Sequence, residues 1–485
     1  MELRPCFDGF AGIPQETRVL FSAFHDLQSV EPVGLLNHSR RRLAAGRSLF
    51  WNATDTAAPY NRVAKLIISS EDDGAFTPID RLRVKTENSR AALSLAASVG
   101  PGARIPLRPV DGARFVDYFW QRLFEKGLSP DEFDRVRDAK YVSMRPAWLH
   151  LHSLGLVRRY PLLETRGFDI FVAHTPWPSR VSPETELVVR YHDAIPMFLP
   201  HQVKRPGMHH QHHAAALRQN VRTASFVCNS EATRRDLLTL YPQVEDRTAV
   251  IPVSVSGDYY PEQVNSQLVG EIVRSYQAGG RPAPLGFFEE DSYRYLLMVS
   301  TIEPRKNHLR LIDAWERIRR QTDPELNLIL VGSAGWGQGP VVNRIKKWHQ
   351  RKGLYHLTDV PTQDLRILYS NAAATVCPSV AEGFDMSGIE AMLCGSVVVA
   401  SDIPVHRETY DEAGVYFDPY DTSDLAEALR HVLYEEHHHQ RCEELIHRGF
   451  TQSKLYRRSD VADQWALLFE DIRAGRFGGR GRQRA

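Results

Sequence analysis

Apolar positions fall into two long series in which short continuous runs alternate with stripes at helical spacing. In the first, the runs at 169–174 and 187–192 predict buried parallel strands, each ending in a histidine, His174 and His192. A helix over about 208–222, a strand at 225–228, a helix capped by Ser230 and a strand at 248–253 follow. The second series places strands at 295–300, 326–331, 355–358, 374–377, 397–400 and 415–417. It ends in a helix over about 456–473, with Val461, Trp465, Leu468 and Ile472 on one face. Ahead of both series, residues 3–36 read as strand, turn, helix and strand, the helix starting near Pro14. Residues 37–165 show no sustained period, apart from helical patterns near 113–126 and 131–138. The Pro, Gly, Gln and Ser content of 258–290 reads as a linker.

The most informative stretch is 379–402. An apolar strand stops at Pro378, and a loop carrying Glu382-Gly383-Phe384 follows. Ser387 is expected to cap a helix bearing Ile389, Met392 and Leu393, which ends at Gly395 before the next strand. Strand, loop, helix, strand is the unit of a parallel α/β sheet, and its loop lies where such sheets bind ligands. The N–H groups of Met386, Ser387, Gly388 and Ile389 would start that helix and favour an anion. Glu382 and Glu390 flank the turn.

With Glu382-Gly-Phe, Glu390-Ala-Met and Gly395 in place, the stretch resembles the donor-binding motif of retaining glycosyltransferases of the GT-B fold, glycosyltransferase family 4. Their pattern is two glutamates separated by seven residues. The resemblance implies an α/β, GT-B architecture of two Rossmann-like parallel-sheet domains facing across a cleft. It divides the chain into an acceptor-side domain (1–262, with an irregular insertion around 37–165), a linker (263–290) and a nucleotide-sugar-binding domain (291–455). A helix returning to the first domain (456–474) and a disordered tail (475–485) complete it. Segment 301–307, Thr-Ile-Glu-Pro-Arg-Lys-Asn, is similar to the family's phosphate-binding loop, with Lys306 at the lysine position. Thr301 stands where an arginine is usual, and Arg305 supplies the second cation. The resemblance gives catalytic roles to His192, Arg305, Lys306 and Glu382. Donor contacts fall to Gly12, Thr301, Gly332, Asp385, Met386, Ser387, Gly388, Ile389 and Glu390, with Glu390 on the ribose hydroxyls and Gly332 near the base. For the Gly9–Gly12 loop a plain strand-to-helix turn is an equal reading, and Asp193 fits loop fixing as well as catalysis.

The function implied is transfer of a hexose, mannose or a related sugar, from a nucleotide diphosphate sugar to a glycan or lipid-linked glycan in surface polysaccharide synthesis. The alternatives are an inactive GT-B scaffold that binds a glycan or partner enzyme, and a GT-B sugar phosphorylase or epimerase. No cofactor is expected, and no metal, since the Asp-x-Asp triplet is absent. The histidines at 201, 209, 210, 212 and 213 read as a polar helix face rather than a metal site. A dinucleotide fingerprint G-x-G-x-x-G is missing from the 332–339 loop.

Composition narrows the setting. A chain of 485 residues needs at least two domains, and 42% hydrophobic with 25% charged residues is the balance of a soluble globular protein. A net charge of +1 gives no electrostatic case for nucleic acid. Five cysteines without metal-ligand spacing read as reduced thiols, and no apolar run approaches membrane-spanning length. The expected location is cytoplasmic. Basic clusters at 40–42 and 476–484 leave peripheral contact with the inner face of the membrane open.

Overall fold

The computed structural model describes residues 1–9, 12–40, 43, 63–64, 66–67, 86, 104–112, 115–125, 127–277, 294–348 and 353–478. The chain forms two compact units. The first comprises 1–229, 234–251 and 462–485, and the second 230–233 and 252–461.

In the first unit the strands are β1 (Val33–Leu36), β2 (Arg104–Pro106), β3 (Arg108–Val110), β4 (Lys140–Ser143), β5 (Leu162–Glu164), β6 (Ile170–Ala173), β7 (Arg180–Val181), β8 (Glu186–Tyr191), β9 (Ser225–Cys228) and β10 (Thr248–Val250). A parallel sheet runs β10-β9-β8-β6, and smaller sheets run β1-β4-β3 and β2-β5-β7. The strand expected at the start of the chain is reduced to a bridge. Glu2 pairs with Leu35, and its N–H donates to the Val172 carbonyl, which joins the edge strands β1 and β6. Within the irregular stretch, most of 41–103 lies outside the described residues, while helices Val116–Phe119 and Phe133–Arg137 match the helical patterns.

β8 is buried along its whole length, as a central parallel strand must be. It nevertheless carries Arg190, whose Nε donates to Glu16 at 2.7 Å and whose Nη1 donates to the Ile251 carbonyl at 2.5 Å. Burial of that charge is tolerable only because it is paired. The final helix, Arg458–Arg473, contributes its residues from Ala462 onward to this unit. There Trp465, fully buried, meets Phe24 edge-on at 5.6 Å, and Arg190 lies 5.8 Å from its ring centre.

The second unit holds one six-stranded parallel sheet of β11 (Tyr295–Val299), β12 (Asn327–Val331), β13 (Leu354–Leu357), β14 (Ala374–Cys377), β15 (Val398–Ser401) and β16 (Gly414–Phe417). The order is β13-β12-β11-β14-β15-β16. This is the 3-2-1-4-5-6 order of a doubly wound nucleotide-binding sheet, whose strand order reverses between β11 and β14. Apolar clusters cover both faces, one around Leu311, Trp315 and Leu425 and the other around Ile272, Leu368 and Ile389.

Two expectations need correction. Residues 263–277 are not linker: Asn265 caps a helix at Ser266–Tyr276, and Val269, Ile272 and Val273 bury their side chains in the second unit's core. The rest of the expected linker, 278–290, lies outside the described residues, as do 479–485 of the expected disordered tail. Ser387 is not the helix cap either. Asp385 caps Met386–Leu393, its carboxylate accepting from the Ser387 N–H.

Trp465→Ala should lower unfolding stability by about 3–5 kcal/mol, because it empties a fully buried aromatic site. Leu467→Ala, two positions along the same helix and 63% exposed, should change it by less than about 0.5 kcal/mol. Urea unfolding of both variants followed by tryptophan-independent circular dichroism checks the contrast.

Candidate functional site

The strand order puts the loops after β11 and β14 side by side. The β11 loop contains Pro304–Lys306, a single helical turn, and Asn307, whose positive φ of 61° begins the helix His308–Gln321. Asn307 stitches the β11 loop to two others, its amide donating to the Pro378 carbonyl after β14 at 3.0 Å and to the Pro419 carbonyl after β16 at 2.8 Å. The Val380 N–H donates to the Arg305 carbonyl at 2.8 Å. On the other flank Gly332 has φ +149°, and a side chain there would overlap the Ser300 carbonyl, so only glycine lets β12 end this close to the β11 loop. Thr301 lies half-buried beside that approach, its methyl facing Gly335.

Here Arg305, Lys306 and Glu382 converge. Glu382 takes an ion pair from Arg305 Nη1 at 2.5 Å and another from Lys306 Nζ at 2.6 Å, with its side chain 5% exposed. Burial alone would raise the Glu382 carboxyl, but the two cations outweigh it and hold it below the ordinary range. Arg305 Nε also lies 3.3 Å from Glu303. Asp385 is the next carboxylate along the loop. Burial opposes its charge, yet Lys306, His406 and Ser387 together bring its carboxyl far down. Counted as whole charges, two cations face three carboxylates in this cluster. The two expected cations, Arg305 and Lys306, are thus both present and both paired with Glu382.

The helix start beyond Asp385 is tightly seated. A side chain at Gly388 would run into the Tyr410 ring, whose hydroxyl donates to the Asp385 carbonyl at 3.0 Å. Ser387 Oγ donates to Asp385 at 2.7 Å, Ile389 is fully buried in the core, and Met386 is half-buried. Glu390, one turn on, has no basic partner among the described residues. Tyr369 donates to its Oε2 at 3.0 Å, and Tyr259 adds a second hydroxyl. Burial pushes its carboxyl up to about 8, with the Asp385 charge adding to that and the two hydroxyls opposing it.

The two remaining candidates belong to the first unit. His192 follows β8 and places Nδ1 3.1 Å from Glu16, with the His174 ring stacked 5.9 Å away. Gly12 has φ +66° and open space around its Cα. Its loop neighbours Phe10 and Ala11 lie outside the described residues. Asp193 fixes a loop, accepting from the Ile195 N–H at 2.9 Å. The 209–213 histidines are divided: His209 is exposed and His210 half-buried, as on a polar face, while the other two are more enclosed. His212 is buried, and His213 Nε2 meets the Tyr191 hydroxyl at 3.2 Å, with burial taking that imidazole down to about 3. Among the described residues no group of three or more His, Cys, Asp or Glu side chains could hold a metal ion, and no helix is long and apolar enough to cross a membrane.

Sequence reasoning missed Asn307, His308, Tyr259, Tyr369 and His406. Asn307 carried a signal, since asparagine tolerates positive φ and followed the two cations. His308, buried beneath Lys306 and pushed down to about 3, and His406, fully buried, carried none.

Residues 287–448 match the family described as glycosyl transferases group 1, which is the part of the chain containing this site. The O-antigen chain mannosyltransferase B of Escherichia coli is 25% identical over 341 residues, covering 67% of this chain and 84% of that protein. The serotype-specific mannosyltransferase WbdA of Escherichia coli is 34% identical over 152 residues, 31% of this chain and only 18% of WbdA. Among solved structures, sucrose-phosphate synthase from Thermosynechococcus elongatus superposes with a TM-score of 0.51 at 17% identity, over 69% of this chain and 84% of that one. Anabaena HepE in complex with UDP and glucose gives 0.50 at 17% identity, over 74% and 96%. These likenesses, with the two parallel-sheet units, show an α/β fold of the GT-B class.

Proposed function

We propose that the protein transfers a mannose-type hexose from a nucleotide diphosphate sugar to a glycan or lipid-linked glycan in surface polysaccharide synthesis, with retention and without a resident metal. The observation that carries this reading is the pairing of Arg305 and Lys306 on Glu382 at the strand-order reversal of the second sheet. A departing diphosphate gathers negative charge, and preformed cations with oriented N–H groups stabilise it. The matched family, and relatives named as O-antigen and serotype-specific mannosyltransferases, support the class and the sugar. Contact of His192 with the donor sugar remains part of the proposal and rests on the resemblance; Glu16 holds its ring in a fixed orientation.

Because Glu382 occupies both cations, a bound diphosphate shares or takes over those ion pairs. Arg305, the outer partner, offers a planar fork that can turn from carboxylate to phosphate. Lys306, nearer Asp385, stays a point charge. With the leaving phosphate able to accept the acceptor's proton, transfer on the same face needs no further base.

The direct test is incubation with a panel of GDP-, UDP- and dTDP-hexoses, with and without EDTA, followed by nucleotide release. GDP-mannose turnover that survives the chelator is expected. Binding of no nucleotide sugar by calorimetry would overturn the reading, and restoration by a divalent cation would overturn its metal independence.

Arg305→Ala should cut turnover about a hundredfold or more, while Arg305→Lys should lower turnover more than affinity. Thr301→Arg added to Arg305→Ala should recover part of the loss. Steady-state kinetics decides, and near wild-type turnover in Arg305→Ala would make that residue a bystander.

Glu390 is proposed to accept from the ribose hydroxyls. With its carboxyl near 8 it holds a proton at pH 7, so accepting from a diol requires release of that proton. Nucleotide affinity should rise as pH climbs toward about 8, and calorimetry at pH 7 in buffers of different ionisation enthalpy should read release of about one proton, absent in Glu390→Gln. In the unliganded protein a carboxyl raised from 4.5 to about 8 loses stability as pH rises through that window. Glu390→Gln should therefore melt higher than the parent at pH 8, with the difference shrinking toward pH 5.

A further inference from the structure

Two helices of the first unit come from stretches of chain without acidic residues. No Asp or Glu occurs between Asp138 and Glu164, or between Asp193 and Glu231. These stretches form the helices Trp148–Leu156 and Pro206–Thr223. The two helices run side by side: the His152 and His212 rings lie 5.3 Å apart, and a side chain at Gly155 would sit 3.8 Å from the Ala215 methyl. The Tyr160 hydroxyl ties them together, donating to the Ala215 carbonyl at 2.7 Å.

At their carboxyl ends this face becomes both basic and apolar. Arg158, Arg159, Arg218 and Arg222 are all exposed, and Arg180 donates from Nε to the Tyr160 carbonyl at 3.0 Å. Burial raises the Tyr160 hydroxyl, and the charges opposing that rise are Arg218, Arg158 and Arg222, so all three surround its ring. At the tip stand Leu156 and Val157, 41% and 65% exposed. The tip is held in place by its backbone. The Arg158 N–H donates to the Gly155 carbonyl and the Arg159 N–H to the Leu154 carbonyl, both at 3.0 Å. Such a closure needs a left-handed residue, where glycine is usual, and here Arg158 adopts it at φ 56°.

We propose that this face docks on an anionic lipid surface, with Leu156 and Val157 entering the interface and the arginines on the headgroup phosphates. Four exposed guanidinium groups on two acid-free stretches match a dense layer of phosphates, which arginine binds through its planar fork. Two adjacent aliphatic side chains gain nothing against a nucleic-acid backbone, but at a bilayer they leave water for the acyl boundary. Such docking is independent of the chemistry proposed for the second unit.

The test is sedimentation of the full chain with phosphatidylcholine vesicles containing about 30% phosphatidylglycerol, beside vesicles of phosphatidylcholine alone. Binding about tenfold or more tighter to the anionic vesicles is expected, weakening as salt rises from about 0.05 M to about 0.5 M. Arg218→Gln with Arg222→Gln should weaken it by about tenfold or more, since each cation near such a surface is worth about fivefold. Leu156→Ser with Val157→Ser should weaken it by about fivefold and leave its salt dependence unchanged. Amide exchange on the wild-type chain needs no variant: anionic vesicles should slow exchange at 154–160 and 216–223. Equal binding to both kinds of vesicle, or binding to neither, would overturn the proposal. So would binding that neither pair of substitutions weakens, protection confined to other segments, or capture of a DNA duplex in place of the vesicles.

Discussion

The second unit depends on how closely two parallel strands end beside each other. β11 and β14 are neighbours in the sheet but far apart in the chain, and the strand order reverses between them. The helices that follow them pack on opposite faces, Leu311 and Ile389 lying in different apolar clusters, and it is at such a reversal that doubly wound sheets bind ligands. Arg305, Lys306 and Glu382 are brought together at that reversal. Asn307 ties the β11 loop to the β14 loop through the Pro378 carbonyl and to the loop after β16 through the Pro419 carbonyl, and Gly332 lets the next strand close the flank. Arg305 and Lys306 come from one side and Glu382 from the other.

The electrostatics of the crevice are those of a balanced cluster rather than a positive trap. Glu382 alone engages both cations in the absence of ligand, and Asp385 lies close behind Lys306. Such a site excludes indiscriminate anions, because any newcomer must compete with a buried carboxylate already in ion-pair contact. A nucleotide diphosphate sugar could compete by spreading its binding over the helix start, the cations and Glu390. Glu390 lies in the opposite environment: two tyrosine hydroxyls and, among the described residues, no cation, one turn along the same helix. Two glutamates eight positions apart are thus held in contrasting protonation states by their surroundings.

The fold was largely legible in the sequence, since buried parallel strands are continuous apolar runs of Val, Ile and Leu. Ser225–Cys228 and Ala374–Cys377 end at the predicted residues, and the other strands of the second sheet within one or two. The failures have physical causes. The Ser266–Tyr276 helix carries a clear stripe at Val269, Ile272 and Val273, but the Pro- and Gly-rich chain around it masked that signal. Asp385 and Ser387 are both good capping residues, and the choice between them depends on where the loop enters the helix. Arg190 looked like an ordinary strand residue because its partner, Glu16, lies on a helix 174 positions away. The same holds for the site: the motif located Glu382 and Glu390, but their contrasting states come from Arg305, Lys306, Tyr259 and Tyr369, which long-range packing brings to them.

The loops after β11 and β14, with the helix start at Met386, are proposed to form one nucleotide-diphosphate-sugar site. Amide hydrogen exchange with and without saturating GDP-mannose tests it most directly. Slowed exchange is expected at 301–307 and 382–391, together with the glycine-bearing turn at 332–337. Binding that leaves these three segments unprotected, with protection elsewhere in the chain, would contradict it.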